Sequence, residues 1–151
     1  MRKSPFEYRR NATRDDVRRL VADMSPLEHA PEGVLGRLVA DLYRSRTYVV
    51  TIDSRLAGIC FVVDLDDRRE MAFTKTAYLT ERRPVTFARS IPLLLADLDR
   101  HEAEAGRDRH PMHMHVPEGD VRSLSWFIRA GCTPAQDGDG LVCPRSREVS
   151  P

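Results

Sequence analysis

The sequence predicts an α/β (α+β) fold built on a central mixed β-sheet with helices on both faces, and three observations predict it. Two runs rich in β-branched and aromatic residues, TYVVTI and LAGICFVV, flank the polar turn Asp53-Ser54-Arg55 and read as a hairpin. Segments with apolar residues three and four apart lie on either side of that hairpin. Taken along the chain, the order is strand, two helices, three strands, helix, strand, helix, strand, which calls for a sheet with helices packed against it.

Each element has its own local reason. PFEYRR reads as a short strand, and Thr13 then caps a helix whose Val17, Leu20 and Val21 keep helical spacing. Asp16, three residues after Thr13, completes an approximate capping box, and Pro26 ends the helix. A second helix is expected from about Pro31 to Arg44, with Val34, Leu35, Leu38, Val39 and Leu42 on one face. After the hairpin, the acidic turn DLDDRR leads into a third core strand, EMAFTKTAY.

The segment YLTERRPVTFARSIPLLL follows, with Leu94, Leu95 and Leu98 as the buried stripe of a helix reaching about Ala105. Pro92 would cost a hydrogen bond and press on the Ala88 carbonyl if this helix began early. The expectation is therefore a helix that starts with Ser90 as its N-cap, or kinks between Ala88 and Ser90. GRDRHP is a loop, PMHMHV a strand, and DVRSLSWFIRAG a short amphipathic helix stopped by Gly131. Two short strands around QDGDG close the fold. Residues 1–145 read as a single domain and 146–151 as a flexible tail.

Composition bounds the function. Apolar residues at 41% and charged residues at 31% of 151 fit a globular chain, and a net charge of +1 argues against broad nucleic-acid binding. The N-terminal MRKSPFEYRR lacks the apolar core of a signal peptide, and no apolar run is long enough for a membrane span. A cytoplasmic or virion-associated location is expected. Cys60, Cys132 and Cys143 form no CxxC motif; Cys60 and Cys132 read as small core residues, and a reducing setting is the simpler inference.

Two local patterns, in this order of elements, resemble the GNAT superfamily of acyl-CoA-dependent N-acetyltransferases. Tyr78, Thr80, Arg83, Thr86 and Ala88 occupy the spacing of that family's pyrophosphate loop, V-x-P-x-x-(R/Q)-x-x-G-x-(G/A). Asp120, Ser123, Trp126, Phe127, Gly131 and Cys132 keep the spacing of its second motif. The resemblance implies a GNAT-like fold from about Phe6 to Cys143, and acetyl-CoA or another acyl-CoA as the ligand. Arg83, Thr86, Phe87, Ala88 and Arg89 would form the loop around it, with Asp120 and Phe127 beside it.

The departures matter as much. Glycine suits a loop whose N–H groups approach phosphates closely, and Thr86 puts a β-branched side chain there. Phe127 stands where many family members carry a Tyr that protonates the departing thiolate, and a phenyl ring has no proton to give. Glu70, near where some members carry a catalytic Glu, and Tyr78 are the weak catalytic candidates; the bland reading of Glu70 is a solvated strand-end carboxylate. The segment from Phe73 to Pro134 also resembles GNAT-like proteins of tailed bacteriophages, including virion proteins.

Other clusters have plain readings. HPMHMH is read as a strand that buries Met112 and Met114 and shows His113 and His115 to a polar cleft. No Cys or Asp pair is spaced to complete a four-ligand zinc site, so no metal is assigned. Arg82, Arg83 and Arg89 read equally as a phosphate grip or as a solvated basic face. Trp126 and Phe127 read as core aromatics.

Two functions remain open. The first is a degenerate GNAT-like protein of phage type, virion-associated or otherwise non-catalytic, with other virion proteins or a second copy as partner. The alternative is an active N-acyltransferase that moves an acyl group from acyl-CoA to a primary amine of a small molecule or protein.

Overall fold

Among the described residues, the elements follow the expected order. They are β1 (Phe6–Arg10), α1 (Arg14–Ala22), α2 (Val34–Arg44), β2 (Arg46–Ile52), β3 (Arg55–Asp64), β4 (Arg69–Lys75), α3 (Pro84–Glu104), β5 (Met112–Met114), α4 (Val121–Arg129), β6 (Thr133–Pro134) and β7 (Leu141–Val142). The computed structural model describes residues 3–24, 33–116, 119–136 and 140–144. Its strands form one sheet in the order β1-β2-β3-β4-β5-β7-β6. The sheet is mixed, because β4 and β5 run parallel while β1–β2, β2–β3, β5–β7 and β6–β7 are antiparallel. The α/β class expected from the sequence is the class observed.

The chain packs as two compact units, one of Pro5–Val63 with Ala72–Phe87, the other containing Asp64–Met71 and the chain from Ala88 onward. In the first unit α1 opens with the expected capping box. Thr13 Oγ1 accepts from the Asp16 N–H at 3.2 Å, and Asp16 Oδ2 accepts from the Thr13 N–H at 2.7 Å. The apolar stripes of α1 and α2 close on the sheet through Val17, Leu20, Val34, Leu38, Val49, Ile59 and Phe61. Gly33, at φ 92°, precedes α2. The stop at Pro26 and the start at Pro31 lie outside the described residues.

The β2–β3 connection is the two-residue turn Asp53-Ser54, both with positive φ (53° and 60°), the type I′ geometry that matches strand twist. A bulge between Val50 and Thr51 leaves Ala57 as the extra residue of β3. Its carbonyl is taken by the N–H of Thr76 at 2.9 Å and the hydroxyl of Thr76 at 3.0 Å. Beside it, a Cβ on Gly58 would meet the Thr74 carbonyl oxygen and the Phe73 ring, so β3 and β4 approach at a distance only glycine allows. Phe73 in turn meets Phe87 edge-to-face at 6.1 Å. Because alternate residues of a strand face opposite ways, Phe87 covers the face of this unit opposite to α1 and α2.

In the second unit, Ile91, Leu94, Leu95 and Leu98 of α3 are buried, as are Met112 and Met114 of β5. Arg69, only 1% exposed, donates to the His110 carbonyl at 2.7 Å and pairs with Glu102 at 3.3 Å and Asp99 at 3.4 Å. Leaving such a guanidinium without partners would cost several kcal/mol, so these acceptors make its burial tolerable. Asp120 caps α4 by accepting from the Ser123 N–H at 3.1 Å. Gly131, at φ 104°, ends it, with Gly131 N–H bonded to Ile128 O and Cys132 N–H to Phe127 O.

Three expectations need correction. The helix α3 begins at Pro84, not near Ser90, and runs through Pro92 to Glu104. Proline is at ease at the first helical position, and burial of Phe87, Ile91, Leu94, Leu95 and Leu98 offsets the cost of a second one inside. The third core strand stops at Lys75, because Thr76 turns to bridge Met24 and bond Ala57, so Tyr78 lies beyond the strand. Trp126 is half-buried, with Arg122 stacked 4.6 Å from its ring centroid, whereas Phe127 is in the core.

Candidate functional site

The segment between β4 and α3 is where the sequence places a phosphate loop. Tyr78–Arg82 forms a single π-helical turn. Its start is anchored by Thr76, whose hydroxyl donates to the Leu56 and Ala57 carbonyls and whose own carbonyl accepts from Thr80. The N–H of Ala77 bonds to the Asp23 carbonyl at 2.7 Å. The turn is thereby closed by internal bonds and does not lie open as a glycine-rich cradle would.

Next to it stands a cluster that joins distant parts of the sequence. Arg83 pairs with Asp53 at 2.8 Å, the Tyr78 hydroxyl donates to the same carboxylate at 3.1 Å, and Arg55 stacks 4.3 Å from the Tyr78 ring centroid. The hydrogen bond with Tyr78 and the charge of Asp53 hold the Arg83 guanidinium still further above its already high pKa. Asp53 and Arg83 are 45% and 46% exposed, so the pair fixes direction more than it stabilises. Tyr78 is committed to Asp53, and Arg83 to both.

At the helix start, an anion would be held by N–H groups of the first turn. Pro84 has none, and the N–H of Phe87 is already bonded to the Arg83 carbonyl at 2.9 Å. Phe87 is fully buried, Thr86 and Ala88 are half-buried, and Arg89 is exposed. Val85 and Thr86 therefore carry the first-turn N–H groups that such an anion would meet.

A second group of polar side chains lies on β4 and β5. The parallel register sets Glu70 beside His113, and the ladder stops at Met71–Met114, with the N–H of His115 reaching the Met71 carbonyl at 3.0 Å. Met112 and Met114 are buried while His113 is half-buried, as the alternation predicts. Glu70, His113, Met114, His115 and Gly140 line a cavity of about 40 Å³, room enough for water. His113 Nδ1 is buried and has no hydrogen-bond partner among the described residues, and Glu70 bonds to Arg68 at 3.0 Å. Gly140, at φ 77°, closes the wall where a Cβ would sit 2.6 Å from the Met114 carbonyl oxygen. Among the described residues no three His, Cys, Asp or Glu side chains gather as a metal-binding group.

The remaining sequence candidates have structural roles. Asp120 spends its carboxylate on the cap of α4, and Phe127 is 2% exposed with no hydroxyl to offer. Asp53, the residue that organises Tyr78 and Arg83, was missed by sequence reasoning. Nothing local distinguishes it from any other turn aspartate.

No family model matches the chain, and no curated protein matches it in sequence. Its structural likenesses are specific. It aligns over 92% of both chains with a spermidine N-acetyltransferase chimera of Vibrio cholerae SpeG and a human counterpart, at 17% identity and a TM-score of 0.61. The PaiA N-acetyltransferase of Thermoplasma acidophilum, solved with coenzyme A, aligns over 91% of this chain and 96% of its own at 14% identity, with a TM-score of 0.56. A larger protein of Pyrococcus horikoshii assigned to the acetyltransferases matches 89% of this chain, which spans 46% of that one, at 12% identity and a TM-score of 0.57. At these identities the likeness establishes the GNAT fold and nothing about activity.

Proposed function

We propose that this GNAT-fold chain works without acyl-CoA chemistry, as a binding or structural protein. One observation carries the reading: the anion-binding end of α3 is depleted, with Val85 and Thr86 left to supply its first-turn N–H groups. Its first residue, Pro84, has no N–H, so one of the donors that a helix start would offer to a pyrophosphate is missing. The Arg83 guanidinium is turned onto Asp53. A protein that cannot grip the pyrophosphate loses the binding energy that would position the thioester for attack. Buried Phe127, at the general-acid position, supports the same reading. Its partners are taken to be other virion proteins or a second copy, on the strength of the phage resemblance alone.

A second reading, the active N-acyltransferase, is favoured by the polar cavity on β4 and β5. There Glu70 and His113 sit side by side, and the buried His113 Nδ1 has no partner among the described residues. An imidazole so placed can take a proton from an attacking amine, with Glu70 orienting it. Bound acyl-CoA would supply the thioester. This chain's own part would be to accept the amine proton at His113 and to polarise the carbonyl with strand N–H groups.

A thiol-release assay separates the two. Wild-type protein is incubated with acetyl-CoA and a panel of polyamines, amino acids and peptides, and free thiol is followed. The first reading expects release no faster than without amine. Amine-dependent release that is lost on Glu70→Gln or His113→Gln would overturn it in favour of the second.

A further inference from the structure

Cys132 and Cys143 flank the consecutive strands β6 and β7, and the sheet brings them face to face. The β6–β7 ladder pairs Thr133 with Val142 and Pro134 with Leu141, so one further step outward sets Cys132 opposite Cys143. The Ala135 N–H bonds to the Gly140 carbonyl at 3.1 Å, which makes 135/140 a hydrogen-bonded pair. Alternation along an antiparallel ladder then makes 133/142 hydrogen-bonded, and 132/143 a non-hydrogen-bonded pair.

The backbone agrees. The Cys132 N–H turns back to the Phe127 carbonyl at 3.0 Å, and the Cys143 N–H points to the Met112 carbonyl of β5 at 2.8 Å. Neither is directed at the other. In such a pair the Cα atoms stand about 4.5 Å apart with the side chains close. That distance is within the roughly 4.4–6.8 Å that a disulfide spans.

The two thiols are also in contact. Both cysteines are buried with no disulfide between them, and their side chains are within hydrogen-bonding reach of each other. The bond to Cys132 and burial push the Cys143 thiol well above its usual range. Cys132 adjoins the exposed strand β6 and so meets an oxidant first, with Cys143 behind it as the second thiol.

We propose that Cys132 and Cys143 are a redox-modification site: a peroxide converts them to a cross-strand disulfide that ties the end of α4 to β7. In the first step the Cys132 thiolate attacks a peroxide oxygen. The O–O bond breaks, Cys132 becomes a sulfenic acid, and, after protonation, one water leaves when the oxidant is hydrogen peroxide. In the second step Cys143 sulfur attacks the sulfenic sulfur, the S–O bond breaks, and the thiol proton leaves with the hydroxyl as a second water. The sum is two thiols and one peroxide giving one disulfide and two waters. Access comes through β6, which is two residues long and exposed at both Thr133 and Pro134, so local opening there uncovers Cys132.

The test is thiol mapping of native wild-type protein treated with hydrogen peroxide, then denatured, alkylated and digested without reduction. The expected result is an intact mass lower by two hydrogens, one alkylatable thiol at Cys60, and a cross-linked peptide joining Cys132 to Cys143. Dithiothreitol should reverse all three signs. With Cys143→Ala, Cys132 should instead accumulate as a sulfenic acid trapped by dimedone. Three free thiols after treatment, oxidation confined to one cysteine of the pair in wild type, or a link that includes Cys60 would each overturn the proposal. The wild-type map decides the matter even if the variant does not fold.

Discussion

Replacing Asp16 by Asn tests how the first unit is held together. The carboxylate is 7% exposed and accepts from Arg9 at 2.7 Å, from the Thr13 N–H at 2.7 Å and from the Thr13 hydroxyl at 2.9 Å. Loss of half a capping box costs about 1 kcal/mol. The Arg9 pair adds about 0.5–1 kcal/mol, kept low because Arg9 is 54% exposed. An amide NH₂ set against these donors brings the total to about 2 kcal/mol, or roughly 4–8 °C in Tm for a chain of this size. Burial alone would raise the Asp16 pKa, but the hydrogen bonds from Arg9 and Thr13 outweigh it and hold the carboxyl below its usual value. A depressed folded pKa means that the unfolded chain binds the proton more readily, so this contribution is complete above the unfolded value of about 3.9. It is lost as pH falls through the folded value. Thermal melts of wild type and Asp16→Asn followed by circular dichroism should therefore differ most near neutral pH and converge below about pH 4. Equal melting at neutral pH, or a gap that widens in acid, would refute this reasoning.

Three further outcomes are expected. Leu20→Ala, at a fully buried core position, should cost about 2–5 kcal/mol by urea denaturation, more than Asp16→Asn. Gly58→Ala should be at least as damaging, about 3 kcal/mol or a failure to accumulate as soluble protein, because the new Cβ meets the Thr74 backbone, which cannot move aside. Pro84→Ala combined with Thr86→Gly restores a first-turn N–H and clears its approach. One charge-assisted bond is worth about 1.5–3 kcal/mol, so acetyl-CoA affinity should rise about tenfold or more over wild type in a fluorescence competition assay.

What could be read from the sequence was local. The capping box needs only Thr13 and Asp16, the hairpin only its two β-rich runs and their turn, and the end of α4 only Gly131. The start of α3 was misplaced because a local rule about Pro92 was weighed without its tertiary counterweight. Burying Phe87 on Phe73 favours helix from Pro84 onward, and Phe73 lies well outside the window in which helix signals are read. The site was less legible still. Tyr78 and Arg83 were visible as candidates, but their partner Asp53 lies across the sheet's hairpin turn, and no spacing rule connects them. Glu70 and His113 were each noticed separately; only the parallel register, 43 positions apart in sequence, makes them neighbours. Cys132 and Cys143 meet more locally, through the register of the consecutive strands β6 and β7.

The central claim is that the helix end which should hold a pyrophosphate no longer does so. Calorimetric titration of the wild-type protein with acetyl-CoA tests it most directly. The account predicts no saturable heat up to about 1 mM ligand, which corresponds to binding weaker than about 4 kcal/mol. A one-to-one isotherm in the micromolar range would contradict it, and would mean that Val85, Thr86 and the exposed arginines suffice to hold the ligand despite Pro84.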